Sequence, residues 1–169
     1  VNLIPADKPQ DIYKFVAEEL AVVLRRISKA GGEEGAKADW WFKLCDGDIP
    51  RTLTKRQVMV LPYGGTMDSY FKYTRAWLDE YHPVPMATLD HLNEEQLKEY
   101  FEKRSKLLAF LVKHLWDVVN DVARDAMGVM EWLKLCAKQA CIDNQPIYWV
   151  TPTGFVVRHF YGVIKEKRV

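Results

Sequence analysis

Residues 51–64 run Arg51-Thr52-Leu53-Thr54-Lys55-Arg56-Gln57-Val58-Met59-Val60-Leu61-Pro62-Tyr63-Gly64, and within them Arg51, Lys55, Met59 and Tyr63 recur every four residues. On an α-helix each such step advances about 40° beyond a full turn, so the four side chains share one broad, slowly rotating stripe. A guanidinium, an ammonium, a soft apolar group and a phenol, in that order, suit a nucleotide: the cations meet phosphates, and the apolar and flat groups meet base and sugar. A basic amphipathic helix closed by Tyr63-Gly64-Gly65 is usually a solvated face with a packed stripe and a C-cap, and spacing alone favours that reading. Pro62 lacks the N–H that would bond the Val58 carbonyl and disfavours helical dihedrals at Leu61. The helix is therefore expected to bend or end near Val58–Leu61.

Outward from this stretch the pattern is helical on both sides. Ile12, Phe15, Val16, Leu20, Val23 and Leu24 recur at helical spacing between Asp11 and Ser28, with Pro9 suited to a first turn. Residues 29–37 are Gly-rich and charged and read as a loop. Trp40, Trp41 and Phe42 read as core anchors. Asp46 and Asp48 lack the other ligands of a calcium loop and read as turn formers. A second helix is expected from Met67 to about Tyr81, stopped by His82-Pro83-Val84-Pro85-Met86.

Asn93-Glu94-Glu95-Gln96 has capping-box spacing and opens the longest helix, with Leu97, Phe101, Leu108, Leu111, Leu115, Val119 and Val122 as its buried stripe. The pattern bends near Met127 and Gly128 and continues to about Cys141. After the turn at Asp143-Asn144-Gln145-Pro146 the period changes: Ile147 to Val150, then Thr151-Pro152-Thr153-Gly154, then Phe155 to Tyr161 reads as a β-hairpin. The chain is thus mainly α with one short C-terminal β-hairpin.

The bulk numbers bound the possibilities. The 169 residues suffice for one domain with a sizeable core, and 49% apolar with 28% charged residues is ordinary globular composition. A net charge of +1 argues against a free-standing nucleic-acid binder while leaving room for local basic patches. The candidates are Arg25, Arg26 and Lys29; Arg51, Lys55 and Arg56; and Lys165, Lys167 and Arg168. Three cysteines without a framework point to a reducing compartment, with Cys136 and Cys141 expected as buried thiols. The four histidines show no metal spacing. No apolar run approaches the roughly 18 residues of a membrane span. Val1 to Pro5 do not read as a signal peptide, and the missing initiator Met suggests a segment of something longer.

Three separated blocks resemble the single-subunit RNA polymerase family of bacteriophages and mitochondria. The first is Val1-Asn2-Leu3-Ile4-Pro5 with Pro9-Gln10-Asp11-Ile12-Tyr13 and Val16-Ala17. The second is Arg51-x3-Lys55-x7-Tyr63-Gly64, with Thr54-Lys55-Arg56-Gln57-Val58-Met59 inside it. The third is Trp132-Leu133-Lys134 followed by Trp149-Val150-Thr151-Pro152-Thr153-Gly154. Their order matches the family's fingers region over nearly the whole chain. The resemblance implies that residues 1–169 are a single domain, the mainly α, helical fingers subdomain of a right-hand polymerase.

The resemblance also implies roles. Arg51 would hold the triphosphate of the incoming nucleotide, and Lys55, the catalytic member, would neutralise or protonate the pyrophosphate leaving group. Met59 would pack near the nascent base pair. Tyr63 would sit beside the sugar and select ribose through its 2′-hydroxyl. Gly64 would let the backbone pass close to the template base.

The implied partners are ribonucleoside triphosphates, template DNA, nascent RNA and the palm and thumb of the same polymerase, with no membrane. The implied location is the cytoplasm of a phage's bacterial host, a mitochondrion being the alternative. The family's Mg2+ ions are held by two palm aspartates, neither expected in this chain, so the segment alone should not polymerise. Where the family often carries an aromatic that wedges template strands, this chain has Asp68, with Tyr70 and Phe71 just after it. The rival readings are a non-catalytic helical nucleic-acid-binding module and the fingers of a family A DNA polymerase. The latter usually has Phe in place of Met59.

Overall fold

A computed structural model describes residues 7–160. The block Val1–Pro5, Tyr161 and the cations Lys165, Lys167 and Arg168 lie outside the described residues. These fall into two compact units, one ending at Ala123 and the other beginning at Arg124.

In the first unit, helix α1 (Ile12–Ala30) begins directly after Asp11, where the apolar period opens. The Asp11 side chain accepts from the N–H groups of Tyr13 and Lys14 at 3.0 and 3.2 Å, an N-cap that satisfies two donors the helix itself cannot. Val16, Ala17, Leu20, Ala21 and Leu24 form its buried stripe, while Phe15 faces out.

The expected loop over residues 29–37 is not there. Helix α2 (Gly32–Leu44) begins almost at once after α1, across Gly31. Glu33 and Glu34 occupy its first turn, where negative charge suits the macrodipole. Lys37 pairs with both, at 2.9 and 2.6 Å. Gly35 is buried against α1: a Cβ there would stand 3.2 Å from the Ser28 carbonyl oxygen, so the glycine is what lets the two helices approach. Of the three adjacent aromatics only Trp41 is fully buried, its Nε1 donating to the Leu107 carbonyl at 3.0 Å; Trp40 and Phe42 are half-buried.

Helix α3 (Arg51–Val60) runs into a 3-10 turn (Leu61–Tyr63) and closes at Gly64 in the left-handed region, φ 81°. The α-helix ends where Pro62 predicts. The mechanism differs, because Leu61 keeps helical dihedrals (φ −51°, ψ −52°) and the tighter turn absorbs the proline. Helix α4 (Met67–Tyr81) follows behind a Thr66/Ser69 capping box. A single turn, α5 (Met86–Leu89), lies in the segment expected to be loop.

Helix α6 (Glu94–Val122) opens with the expected Asn93/Gln96 capping box. Its buried stripe is shorter than expected: it starts at Leu108, and Phe101 is 47% exposed. The core gathers Leu20 and Leu24 of α1, Trp41 of α2, Leu53 of α3, Leu78 of α4, and Leu111 and Leu115 of α6. Tyr70 is fully buried, edge-on to Trp116 at 5.1 Å.

In the second unit, helix α7 (Arg124–Ile142) carries no buried residue. The break in the helical run falls at Ala123, not near Gly128, and nothing in the local sequence explains it. Cys136 and Cys141 are exposed, contrary to the expectation of buried thiols. Strands β1 (Ile147–Val150) and β2 (Val156–His159) pair antiparallel as expected, Val150 opposite Val156 and Ile147 opposite His159. Thr151 and Gly154 form the turn through Gly154 N–H to Thr151 O at 2.9 Å. Arg158 lies over the ring of its cross-strand neighbour Tyr148 at 5.7 Å.

Candidate functional site

Two faces of α3 divide by chemistry. Leu53, Thr54, Gln57, Val58 and Leu61 turn inward, spaced as one helical stripe. Gln57, although polar, is buried because its Nε2 donates to Thr74 Oγ1 of α4 at 2.9 Å. That inward set forces Arg51, Lys55 and Met59 outward, and all three are exposed, Met59 at 48%. Tyr63 lies in the 3-10 turn beyond the helix and is 88% exposed. Gly64 is exposed, and an added Cβ would meet nothing within 4 Å.

Arg51 is the first residue of α3, an unfavourable end of the helix dipole for a cation, and no acidic residue shares that first turn. The missing negative charge comes from another helix. Asp11 Oδ2 accepts from Arg51 Nε at 2.5 Å, and the guanidinium carbon sits 4.9 Å from the Tyr13 ring centre. Next to this pair Thr54 Oγ1 donates to the Tyr13 carbonyl at 2.8 Å. The start of α1 and the start of α3 are thereby joined twice. The hydrogen bond from Arg51, helped by the N–H groups of Lys14 and Tyr13, holds the Asp11 carboxyl below the usual carboxylate range.

Between α3 and α4 lies a cleft of about 190 Å³, with Arg51, Lys55 and Arg56 on one side and Trp77, Glu80 and Tyr81 on the other. Trp77 and Tyr81 stack at 5.3 Å and 22°, and Trp77 Nε1 donates to Thr52 Oγ1 at 3.0 Å. Arg56 pairs with Glu80 across the cleft at 3.3 Å. Lys55 has no ion pair among the described residues. With Arg51 paired to Asp11 and Arg56 to Glu80, Lys55 is the cation that leaves the cleft net positive, which suits an anion. Its volume falls below the roughly 300 Å³ at which small-molecule pockets begin, so it has room for a phosphate chain and not for a whole nucleotide. A larger cavity, about 590 Å³, lies beside the start of α1 against Val122; its walls include Ile12 and Phe15, and it gathers less cationic charge than the cleft does.

Of the other described basic candidates, Arg25 is engaged within the fold. Arg25 pairs with Asp48 at 3.2 Å and lies over the Phe42 ring at 5.5 Å, which makes it a brace. Arg26 and Lys29 are exposed on α1. In place of the aromatic wedge, Asp68 pairs with Lys72 at 2.7 Å, and buried Tyr70 has no exposed ring to offer. Among the described residues no group of three or more His, Cys, Asp or Glu is arranged to hold a metal ion, and no helix is long and apolar enough to cross a membrane. Asp11, Tyr13 and Glu80 escaped sequence reasoning as parts of the site. Asp11 stands 40 positions from its partner, and its only local signal is that of an N-cap.

Comparison with known proteins finds relatives over all or nearly all of the chain. Residues 1–169 match the family described as DNA-dependent RNA polymerase. The chain is 28% identical over 100% of its length to the DNA-directed RNA polymerase of Enterobacteria phage K11, covering 21% of that protein. It is 25% identical over 95% of its length to the T7 RNA polymerase of Escherichia phage T7, covering 20%. It is 28% identical over 93% of its length to the chloroplastic DNA-directed RNA polymerase 3 of Nicotiana sylvestris, covering 14%. The chain thus spans between 14% and 21% of the length of these relatives.

Proposed function

We propose, from the premise that the chain belongs to the DNA-dependent RNA polymerase family, that it is the fingers module that binds the incoming ribonucleoside triphosphate and the template DNA during transcription. The observation that carries this reading is the exposed cationic stripe Arg51–Lys55 on the wall of an anion-sized cleft, followed by exposed Met59 on the same helix and exposed Tyr63 in the 3-10 turn after it. The triphosphate lies along the cleft and the base and sugar lie outside it.

The roles follow from reach and charge. Arg51 and Lys55 neutralise the phosphates. As the bond to the leaving pyrophosphate breaks, negative charge grows there, and the Lys55 ammonium stabilises it and can pass it a proton. Met59 offers an apolar contact to the new base pair. The Tyr63 ring stands against the sugar, where the 2′-hydroxyl is the group that separates ribose from deoxyribose. Magnesium, which the family implies, finds no fitting ligand set among the described residues, so no step here runs through it. The palm and thumb of the same polymerase, the nascent RNA and a bacterial cytoplasm as the place of action belong to this proposal too.

Lys55→Ala in the polymerase chain carrying this segment tests it. Loss of a preorganised cation at the leaving group should lower kcat on the order of 100-fold while initial template binding holds. Elongation at a near-normal rate would overturn the assignment.

A further inference from the structure

We propose that Asp11 is a positioning residue for Arg51: it holds the guanidinium by its Nε edge and leaves the two terminal nitrogens to take a phosphate of the nucleoside triphosphate. The inference rests on the phosphate reading of the α3–α4 cleft and goes beyond it, because Asp11 lies on another helix and lines no part of that cleft.

The geometry divides the carboxylate's work cleanly. Oδ1 accepts from the Tyr13 and Lys14 N–H groups and so is fixed by the start of α1. Oδ2 accepts from Arg51 Nε. The Tyr13 ring, carried by the same first turn of α1, has the guanidinium carbon over it at 4.9 Å. Thr54, one turn along α3 from Arg51, ties the same turn of α1 through the Tyr13 carbonyl. A guanidinium has five N–H donors in a rigid fork, and only the one on Nε is used here among the described residues. The four on the terminal nitrogens remain for an anion, which such a fork binds bidentately. An arginine already held at its Nε edge and against an aromatic ring loses less rotamer freedom when the phosphate arrives.

Two effects oppose each other. The carboxylate orients Arg51, but it also cancels part of the charge that draws the phosphate. Orientation wins in this proposal because the pair is partly exposed, where water screens the charge and the fixed geometry persists.

Asp11→Asn separates the roles, since Asn still caps a helix but carries no charge for Arg51. In the polymerase chain carrying this segment, it should raise the KM for nucleoside triphosphate and the inhibition constant for added tripolyphosphate roughly two- to fivefold, the scale of an exposed ion pair. It should leave kcat and the melting temperature nearly unchanged. In an Arg51→Gln background the same substitution should add nothing. A KM that falls or stays put in Asp11→Asn, or an effect that persists in full without Arg51, would overturn the positioning role while leaving the cleft reading intact. An Arg51→Gln variant with an unaltered KM would overturn the cleft reading, and the proposal with it.

Discussion

Gly64 offers a way to separate what a residue does for the fold from what it does for a partner. It follows the 3-10 turn at φ 81°, ψ 37°, and donates its N–H to the Leu61 carbonyl at 3.1 Å. Gly65 then donates to the Val60 carbonyl at 3.0 Å, so the left-handed residue closes the end of α3. An Ala at 64 must hold a left-handed backbone, which costs about 1–2 kcal/mol. It adds no clash within the chain, because its Cβ meets nothing within 4 Å. The whole intramolecular cost is therefore conformational. It should appear as a roughly 5- to 30-fold faster opening of the Gly65 amide by hydrogen exchange in the polymerase chain. Gly64→Asn should recover most of that loss, since Asn visits this region several-fold more readily than other residues.

Elongation should rank the variants differently. If the backbone at Gly64 passes close to the template base, any side-chain carbon intrudes, and Ala and Asn should both slow nucleotide addition. A Gly64→Asn enzyme that elongates at the parental rate while Gly64→Ala does not would refute the close-approach reasoning and reduce Gly64 to a C-cap.

The core and the thiols supply two further tests. Trp41→Ala removes a fully buried ring and its bond to the Leu107 carbonyl, and should cost about 3–5 kcal/mol in denaturant unfolding; a loss under 1 kcal/mol would contradict the packing described. Burial, with the charges of Asp46 and Asp48 adding to it, pushes the Cys45 thiol from 9.0 up to about 12. The fold favours the protonated form, so this contribution to stability is whole below pH 9.0 and drains away as pH rises from there to about 12. At pH 8 iodoacetamide should therefore modify the exposed Cys136 and Cys141 well before Cys45, and equal labelling rates by mass spectrometry would contradict it.

Local signals in the sequence agree with the structure where the chemistry that shapes an element is itself local. The Asn93/Gln96 box, the α4 limits and the Thr151–Gly154 turn each depend on residues within four positions of one another. Misreadings arose where a distant neighbour decides. Residues 31–35 look like a linker because they contain three glycines, yet Gly35 is small in order to admit the Ser28 backbone, a contact that composition does not reveal. Phe101 fits the apolar period of α6 as well as Leu108 does, and only the reach of the other helices leaves it exposed. For Cys136 and Cys141 the period of α7 was right, but it carried no information on whether anything packs against that helix.

The candidate site follows the same division. The four-residue spacing of Arg51, Lys55, Met59 and Tyr63 is local, and the exposure of the first three follows once Leu53, Thr54, Gln57 and Val58 claim the inward face, while Tyr63 is exposed in the 3-10 turn beyond. The counter-charges are not local: Asp11 stands 40 positions before Arg51, and Glu80 stands 24 after Arg56. An uncompensated cation in the first turn of α3 is nevertheless a visible anomaly, since the helix dipole opposes it. Such an anomaly requires either a partner carboxylate or an anionic ligand. Here Asp11 satisfies the requirement at Nε only, and the terminal nitrogens of the same guanidinium keep the demand for an anion open on the side of the fork that the carboxylate does not reach.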